Sequence, residues 1–280
     1  MSLTGKTTVL GIFGNPIAHT ASPAMHSAGF EALGLDYVYV PFLVDLAKIG
    51  DAVASIRTLN LRGVNVTIPF KEAVLPYLDH IDPDAKAIGA VNTIVNDNGQ
   101  LTGYNTDAPG FCFALRQELT FAIEKKTTLL LGAGGSAKAI AYQLLKEGCS
   151  QLFLVNRNPQ RATELADSLR QHFSASLAVL QPQNINEHLP NIDLIVNTTP
   201  LGMKPDDALP LETLTGIRQD AICCDIIYTP PKTAFLAQAE TAGARILNGA
   251  GMLAAQGVLA FEKFTGHPID YALFKSRLKG

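Results

Sequence analysis

Three short segments in the first half of the chain combine neutral hydrogen-bonding side chains with one lysine and one aspartate. They are Asn65-Val66-Thr67-Ile68-Pro69-Phe70-Lys71, Ala90-Val91-Asn92-Thr93 and Gly103-Tyr104-Asn105-Thr106-Asp107. Taken singly, an Asn or Thr is more often a turn or cap residue, and a lysine is more often a surface charge. Together, the amides and hydroxyls suit a small polyol, and Lys71 with Asp107 forms the ionisable pair that proton transfer requires.

A glycine-rich loop in the middle of the chain predicts a dinucleotide site. The segment Gly132-Ala133-Gly134-Gly135-Ser136-Ala137 has the spacing G-x-G-x-x-A and follows the apolar run Leu129-Leu130-Leu131. The first glycine of this pattern permits a tight turn, and the second lets a pyrophosphate approach the backbone. The small last residue lets the following helix pack against the strand. A strand before the loop, a helix after it and a second strand about 20 residues on strengthen the prediction.

The end of that second strand predicts which dinucleotide binds. An NAD site usually carries Asp or Glu here to accept a hydrogen bond from the ribose 2′-hydroxyl. This strand instead ends at Asn156-Arg157-Asn158, and Arg161 follows on the next helix. Two guanidinium groups attract a 2′-phosphate, which a carboxylate would repel. We therefore expect NADP rather than NAD.

Alternating strands and helices must position these segments. Strands are predicted at Thr7–Gly14, Tyr37–Val44, Gly63–Pro69, Ala90–Asn96, Thr127–Leu131, Gln151–Val155, Leu177–Leu180, Leu194–Asn197, Ala221–Ile227 and Ala244–Leu247. Ser22-Pro23 predicts an N-cap and first turn, Gly34 predicts the end of that helix, and Asp97-Asn98-Gly99-Gln100 predicts a hairpin. Continuous Val, Ile and Leu runs are typical of parallel strands, so the fold class is α/β with one antiparallel excursion.

Composition excludes several classes of partner. The 280 residues include 22 basic and 25 acidic side chains, so no excess positive charge favours nucleic acid. No apolar run is long enough for a membrane span and no signal peptide is recognisable, so we expect a cytoplasmic protein. Four cysteines without ligand spacing are expected to be reduced core residues, and no metal site is expected. These are Cys112, Cys149, Cys223 and Cys224.

The motifs occur in an order that resembles one family along nearly the whole chain. The resemblance rests on Gly14-Asn15-Pro16-Ile17-Ala18-His19-Thr20-Ala21-Ser22-Pro23, Asn65–Lys71, Gly89-Ala90-Val91-Asn92-Thr93, Asn105-Thr106-Asp107, Gly132–Gly135, Asn156–Asn158 and Gly249-Ala250-Gly251-Met252-Leu253-Ala254-Ala255-Gln256. This set is similar to that of the shikimate/quinate dehydrogenase family. The resemblance implies NADPH-dependent, reversible reduction of 3-dehydroshikimate to shikimate in chorismate and aromatic amino-acid biosynthesis.

The resemblance also implies roles for individual residues. Lys71 is expected to be the general acid/base, with Asp107 hydrogen-bonded to it and to the substrate; which of the two carries the transferred proton stays open. Expected substrate contacts are Thr20, Ser22, Asn65, Thr67, Asn92, Tyr228 and Gln256. Expected cofactor contacts are Gly132, Ala133, Gly134, Gly135, Ser136, Ala137, Asn156, Arg157, Asn158, Arg161, Thr199, Gly249 and Met252.

Two domains with a cleft between them are expected. Residues 1–108 plus 249–280 would bind substrate, and residues 109–248 would form a Rossmann-type NADP-binding domain. Two positions depart from the family pattern. Thr20 replaces a serine, which keeps the hydroxyl but adds a methyl group, and Asn158 replaces a Thr or Arg, which predicts a weaker preference for NADP.

Two alternative functions stay open. They are an NAD-using quinate/shikimate dehydrogenase and a ligand-sensing relative without turnover. The protein is expected to be a monomer or a homodimer.

Overall fold

The computed structural model describes residues 3–278, which form two compact α/β units. One unit runs to Gly110 and resumes at Ala254, whereas the other runs from Phe111 to Leu253. Each unit has its own six-stranded sheet, as expected for an α/β chain of this length. Within the described residues, no helix has the length and apolar character that crossing a membrane requires.

The sheet of the first unit is mixed, with the strand order β2-β1-β3-β5-β6-β4. Its strands are β1 (Thr8–Gly14), β2 (Tyr37–Leu43), β3 (Gly63–Val66), β4 (His80–Ile81), β5 (Thr93–Asp97) and β6 (Gln100–Tyr104). Strands β1, β2 and β3 are parallel, whereas β5 runs antiparallel to both β3 and β6. Asn98 and Gly99 join β5 to β6 with φ of 53° and 91°, as a type I′ turn requires, which confirms the predicted hairpin.

The sheet of the second unit is entirely parallel, with the order β12-β11-β10-β7-β8-β9. Its strands are β7 (Thr127–Leu131), β8 (Gln151–Val155), β9 (Ser176–Val179), β10 (Leu194–Asn197), β11 (Ile222–Asp225) and β12 (Arg245–Leu247). Counted from β7, this is the 3-2-1-4-5-6 order of a dinucleotide-binding sheet, and the order in which strands are added reverses between β7 and β10. Ligands of such sheets bind where this reversal leaves a crevice at the carboxyl ends of the strands.

Helices cover both sheets. They are α1 (Ser22–Leu33), α2 (Ile49–Thr58), α3 (Pro83–Ile88), α4 (Asp107–Leu119), α5 (Gly135–Lys146), α6 (Pro159–Arg170), α7 (Ala234–Thr241), α8 (Ala250–Thr265) and α9 (Tyr271–Lys275). Gly34 ends α1 in the left-handed conformation, as predicted, with φ of 64°. The predicted N-cap was wrong by one residue: Ala21 is the cap, and Ser22 begins the helix with its amide donating to Thr20 Oγ1 at 3.3 Å.

Three predicted strands are shorter than their apolar patterns. The strand predicted to reach Ile227 ends at Asp225, because Ile227 N–H bonds to the Asp225 side chain. The strand predicted to reach Pro69 ends at Val66, because Phe70 N–H bonds to Thr67 C=O in a turn and Pro69 has no amide proton for a ladder. The strand predicted from Ala90 begins at Thr93. The two-residue β4 was not predicted, because two residues carry no periodic signal.

Each unit buries its own hydrophobic core. The first core includes Phe13, Val53, Ile56, Val64 and Ile94 between the sheet and its helices. The second core is built on β7, β8, β10 and β11 and includes Leu129, Leu131, Phe153, Ile195 and Cys223. All four cysteines are buried and unpaired, which confirms the prediction of core thiols.

Candidate active site

A lysine–aspartate ion pair lies in the first unit. Lys71 Nζ is 2.7 Å from Asp107 Oδ2, and the two side chains retain 28% and 16% of their exposure. Lys71 follows the turn after β3, and its carbonyl accepts a hydrogen bond from Val91 N–H at 2.8 Å. Asp107 begins α4, where the positive end of the helix dipole favours a carboxylate. The pair is therefore ordered and still accessible to a small molecule.

The sheet brings the polar segments together because β3, β5 and β6 are neighbours. Asn92 lies just before β5, and its Oδ1 accepts from Thr106 N–H at 2.8 Å and from Thr93 Oγ1 at 3.0 Å. Asn92 Nδ2 donates to Thr106 Oγ1 at 2.9 Å. Asn105 supports the next turn, because its Oδ1 accepts from Ala108 N–H at 3.1 Å in the first turn of α4. This network sets the position of Asp107.

Asn65 lies deeper in the same network than the sequence indicated. Its Nδ2 donates to Asn92 C=O at 3.1 Å and to Thr93 Oγ1 at 3.0 Å, while its Oδ1 accepts from Tyr39 at 2.7 Å. Both amide protons are therefore used inside the protein, and the side chain is 5% exposed. Thr67 leaves the end of β3 and is half-buried. In this arrangement, Asn65 orients its neighbours, with one oxygen lone pair left for a substrate.

Two hydroxyls lie side by side at the start of α1. Thr20 Oγ1 donates to Ser22 Oγ at 3.2 Å, so the two predicted substrate contacts are adjacent. Gln256 of α8 lies against Gly110, which is in the first turn of α4. A Cβ at position 110 would come within 2.8 Å of the backbone nitrogen of Gln256. Gln256 is thus next to the element that carries Asp107.

Sequence reasoning missed two buried aromatic residues behind this site, His26 and Tyr39. The rings stack with their centroids 4.3 Å apart and their planes 4° apart. Burial lowers the pKa of His26 to about 3 and raises that of Tyr39, so both rings are neutral at physiological pH. A histidine four residues after Ser22 on an apolar helix face could have indicated this contact.

The glycine loop of the second unit has the features of an anion site. Gly132 has a φ of 112°, and a Cβ there would come within 2.4 Å of Thr198 Oγ1, so this position requires glycine. Gly134 caps α5 without a side-chain hydrogen bond, and open space surrounds the Cα atoms of Gly134 and Gly135. The first N–H groups of α5 are therefore free of a side-chain cap and suit a phosphate.

The loop after β8 presents two unpaired cations. Arg157 and Arg161 are exposed, and within residues 3–278 neither forms an ion pair. Asn158 caps α6 by accepting from Gln160 N–H at 3.0 Å, and its carbonyl accepts from Asn156 Nδ2 at 2.8 Å. The two asparagines therefore hold the loop, and the free charge is on the arginines. These residues fit the 2′-phosphate of NADP.

A buried carboxylate organises the loops after β10 and β11. Asp225 Oδ2 accepts from Asn197 Nδ2 at 3.1 Å and from Thr233 Oγ1 at 2.8 Å, and burial raises its pKa. Asn197 Oδ1 in turn accepts from Thr199 Oγ1 at 2.7 Å, so the Thr199 hydroxyl is used to hold its own loop. The sequence analysis did not select Asp225, although a lone carboxylate after an apolar strand is a recognisable signal.

The remaining predicted contacts also lie in the second unit. Tyr228, 43% exposed, follows β11. A Cβ at Gly249 would lie 2.0 Å from Ile226 C=O, so the chain can pass here only with glycine. Met252 follows in the first turn of α8 and is half-buried. No cluster of three or more His, Cys, Asp or Glu side chains able to hold a metal is present among the described residues.

Sequence profiles of one family match three parts of the chain. The shikimate dehydrogenase substrate-binding domain matches residues 12–94, and shikimate/quinate 5-dehydrogenase matches residues 114–202. The C-terminal domain of shikimate 5′-dehydrogenase matches residues 249–279. The three matches therefore include the segments that carry Lys71, Gly132 and Gly249.

Known proteins resemble the chain over nearly its full length. Shikimate dehydrogenase (NADP(+)) of Desulforamulus reducens is 44% identical over 96% of this chain and 94% of its own length. The crystal structure of shikimate 5-dehydrogenase from Listeria monocytogenes, in complex with shikimate and NAD, is 35% identical with a TM-score of 0.93, covering 99% and 98% of the two chains. That of the Thermus thermophilus enzyme, with NADP(H) and shikimate, is 35% identical with a TM-score of 0.87, covering 96% and 98%. The chain therefore belongs to the shikimate dehydrogenase family.

Proposed function

We propose that this chain catalyses the reversible, NADP-dependent interconversion of 3-dehydroshikimate and shikimate, as a step of aromatic amino-acid biosynthesis. The observation that carries the proposal is the ion pair between Lys71 Nζ and Asp107 Oδ2 at 2.7 Å, beside a network of neutral amides and hydroxyls. Its relatives bear the name shikimate dehydrogenase (NADP(+)), and one related structure contains NADP(H) and shikimate.

The proposed chemistry at the first unit is proton transfer at the oxygen of the reacting carbon. In ketone reduction, the Lys71 ammonium stabilises the negative charge that develops on this oxygen and donates a proton to it. Asp107 holds the ammonium in place through its 2.7 Å contact and accepts a hydrogen bond from a substrate hydroxyl. In alcohol oxidation, the same pair accepts the proton.

The substrate is proposed to bind by its carboxylate at one end and its hydroxyls at the other. Thr20 and Ser22 supply two adjacent hydroxyls, 3.2 Å apart, and the proton that Thr20 donates to Ser22 would rotate toward the bound carboxylate. Asn92 and Gln256 contribute amides toward the ring hydroxyls, and Thr67 contributes another hydroxyl. Asn65 contributes the remaining lone pair of its Oδ1 at the same end. Neutral donors and acceptors of this kind suit a polyol, whose groups carry no charge.

The second unit is proposed to hold the cofactor, which supplies or accepts the hydride when it is bound. The Gly132–Gly135 loop and the uncapped start of α5 fit the pyrophosphate, and Arg157 with Arg161 fits the 2′-phosphate. No carboxylate occupies the position after β8 that would accept from an NAD ribose. These features favour NADP.

The test is a two-by-two assay of shikimate and quinate as substrates with NADP+ and NAD+ as cofactors. We expect the highest kcat/KM for shikimate with NADP+. The rival is an NAD-using quinate/shikimate dehydrogenase, which the shikimate/quinate profile and the NAD in the Listeria structure make worth measuring. An NAD+ preference above about tenfold, which corresponds to 1.4 kcal/mol, would overturn the cofactor assignment.

The same assay tests a second alternative, that the chain is a ligand-sensing protein that binds without turnover. Such a protein would bind 3-dehydroshikimate and yet oxidise no NADPH. The intact Lys71–Asp107 pair argues against it, since binding alone does not require a proton donor.

A further inference from the structure

The phenol of Tyr39 connects two parts of the site that are distant in sequence. Tyr39 lies on β2, is 4% exposed, and donates its hydroxyl to Asn65 Oδ1 at 2.7 Å. Its ring packs on α1, where it stacks on His26 with the centroids 4.3 Å apart. Tyr39 thus joins α1, through its ring, to the end of β3, through its hydroxyl.

The His26 ring holds Tyr39 in this place. His26 lies one helical turn after Ser22 on α1, so both side chains are on the helix face that meets Tyr39. Its ring stacks on the phenol at 4.3 Å, and Phe274 closes the stack edge-on at 5.5 Å from His26. His26 Nδ1 has no hydrogen-bond partner among the described residues, so packing and not hydrogen bonding positions that side of the ring.

Asn65 has little freedom without this phenol. Its Nδ2 donates one proton to Asn92 C=O and the other to Thr93 Oγ1. Its Oδ1 accepts the hydrogen bond from the Tyr39 hydroxyl, so all three contacts fix the orientation of the amide. Removing the hydroxyl would leave the buried Asn65 Oδ1 short of a donor, and the amide would reorient.

We propose that Tyr39 is a positioning residue that sets the spacing between the carboxylate-binding end of the site, at Ser22, and the hydroxyl-binding end, at Asn65. This inference rests on the proposed function, which assigns those two ends to the carboxylate and the ring hydroxyls of shikimate. Tyr39 touches neither end of the substrate in this role. It acts through α1, on which its ring packs at His26, and through Asn65, to which its hydroxyl donates.

The test is Tyr39→Phe, which removes one oxygen atom and keeps the stack. Because one neutral hydrogen bond changes an equilibrium by about 2–10-fold, we expect the Kd for shikimate alone, measured by calorimetry, and the KM for shikimate to rise by about 3–10-fold. The kcat should change less than about threefold and the KM for NADP+ should stay the same, since the reacting pair and the second unit are intact. His26→Leu, which keeps the hydroxyl but removes its support, should weaken shikimate binding in the same direction.

Two variants separate positioning from general loosening of the fold. Tyr37→Phe removes the same hydroxyl two residues earlier on β2 and should leave shikimate binding unchanged. Phe274→Leu disturbs the same aromatic cluster without touching a hydroxyl. If Phe274→Leu weakens shikimate binding as much as Tyr39→Phe does at an equal loss of Tm, the effect is loosening and the inference is overturned.

The outcomes distinguish this inference from the proposed function. Wild-type turnover of shikimate together with an unchanged Kd in Tyr39→Phe would overturn the positioning role and leave the function standing. If the wild-type protein binds shikimate but does not turn it over, comparing its Kd with that of Tyr39→Phe still decides the positioning role. Failure of the wild-type protein to bind shikimate at all would overturn both. If Tyr39→Phe does not fold, unchanged binding by His26→Leu overturns the positioning role.

Discussion

Lowering the pH from 7 to 5 should destabilise the first unit through one residue, the buried His26 of α1. Its ring is 1% exposed and is surrounded by Tyr39 and the side chains of Phe30, Phe261, Phe264 and Phe274, none of which carries a charge in this pH range. Burial lowers the pKa of His26 from 6.5 to about 3 in the folded state. The folded chain therefore keeps the ring neutral at pH 5, where the unfolded chain protonates it.

The sign and size of this loss of stability follow from the number of protons bound in the folded and unfolded states. The unfolded state binds more protons between about pH 3 and 6.5, so the stability that the neutral ring provides is complete above pH 6.5 and is lost as the pH falls below it. From pH 7 to pH 5 the free energy of unfolding should fall by about 2 kcal/mol through this residue alone. Because pH 5 lies well above the folded-state pKa, this figure depends mainly on the unfolded value.

The assay compares the wild-type protein with His26→Phe, which keeps an aromatic ring and cannot be protonated. Urea unfolding followed by circular dichroism at pH 7 and pH 5 yields the loss of stability for each protein. Hydrogen exchange of α1 peptides identifies the transition that belongs to the first unit, since two units need not unfold together. His267→Gln, a change at an exposed histidine, controls for the loss of an imidazole.

The expected result is that the wild-type protein loses about 2 kcal/mol more between pH 7 and pH 5 than His26→Phe does. Losses that agree within about 0.5 kcal/mol would refute the reasoning, because burial of the ring would then carry no protonation penalty. A larger loss in His267→Gln than in the wild-type protein would also contradict it.

Three further predictions concern the site. Lys71→Ala should lower kcat by about 10²–10⁴-fold with a smaller effect on the KM for shikimate, while the exposed Lys86→Ala changes neither; a change in KM alone would show that Lys71 only binds. Arg157→Ala should raise the KM for NADPH by about 10-fold or more and the KM for NADH by less than about 3-fold, and Arg170→Gln at the other end of α6 is the control. Equal increases in the two KM values would show that Arg157 does not contact the 2′-phosphate. Gly249→Ala should lower Tm by about 3–10 °C, because the added Cβ would lie 2.0 Å from Ile226 C=O. Gly5→Ala, where a Cβ meets no atom within 4 Å, should shift Tm by less than about 2 °C, and an unchanged Tm in Gly249→Ala would refute the clash.

Local patterns in the sequence identified most of the strands and the glycine-rich turn before α5. Apolar runs such as Leu129–Leu131 predict buried parallel strands, and the spacing of Gly132 and Gly134 predicts a turn that approaches an anion, because both signals depend on a few consecutive residues. The Asn98-Gly99 turn was predictable for the same reason, since its conformation requires residues that tolerate a positive φ. Strand ends were less predictable: apolar residues continue past Val66 into a turn, and composition does not report where a ladder stops.

Sequence alone therefore determined that the chain is α/β, that it carries a G-x-G-x-x-A loop between a strand and a helix with arginines after the next strand, and that Lys71 and Asp107 belong to one set of motifs. Only the tertiary structure decided that those two groups are 2.7 Å apart and that Asn65 has no free amide proton. It also decided that Tyr39 donates to Asn65 and that Asp225 organises the loops after β10 and β11 of the second unit. The physical reason is that each of these facts is a contact between strands or helices far apart in sequence. Such contacts depend on the order in which the strands join the sheet, which residue spacing does not encode.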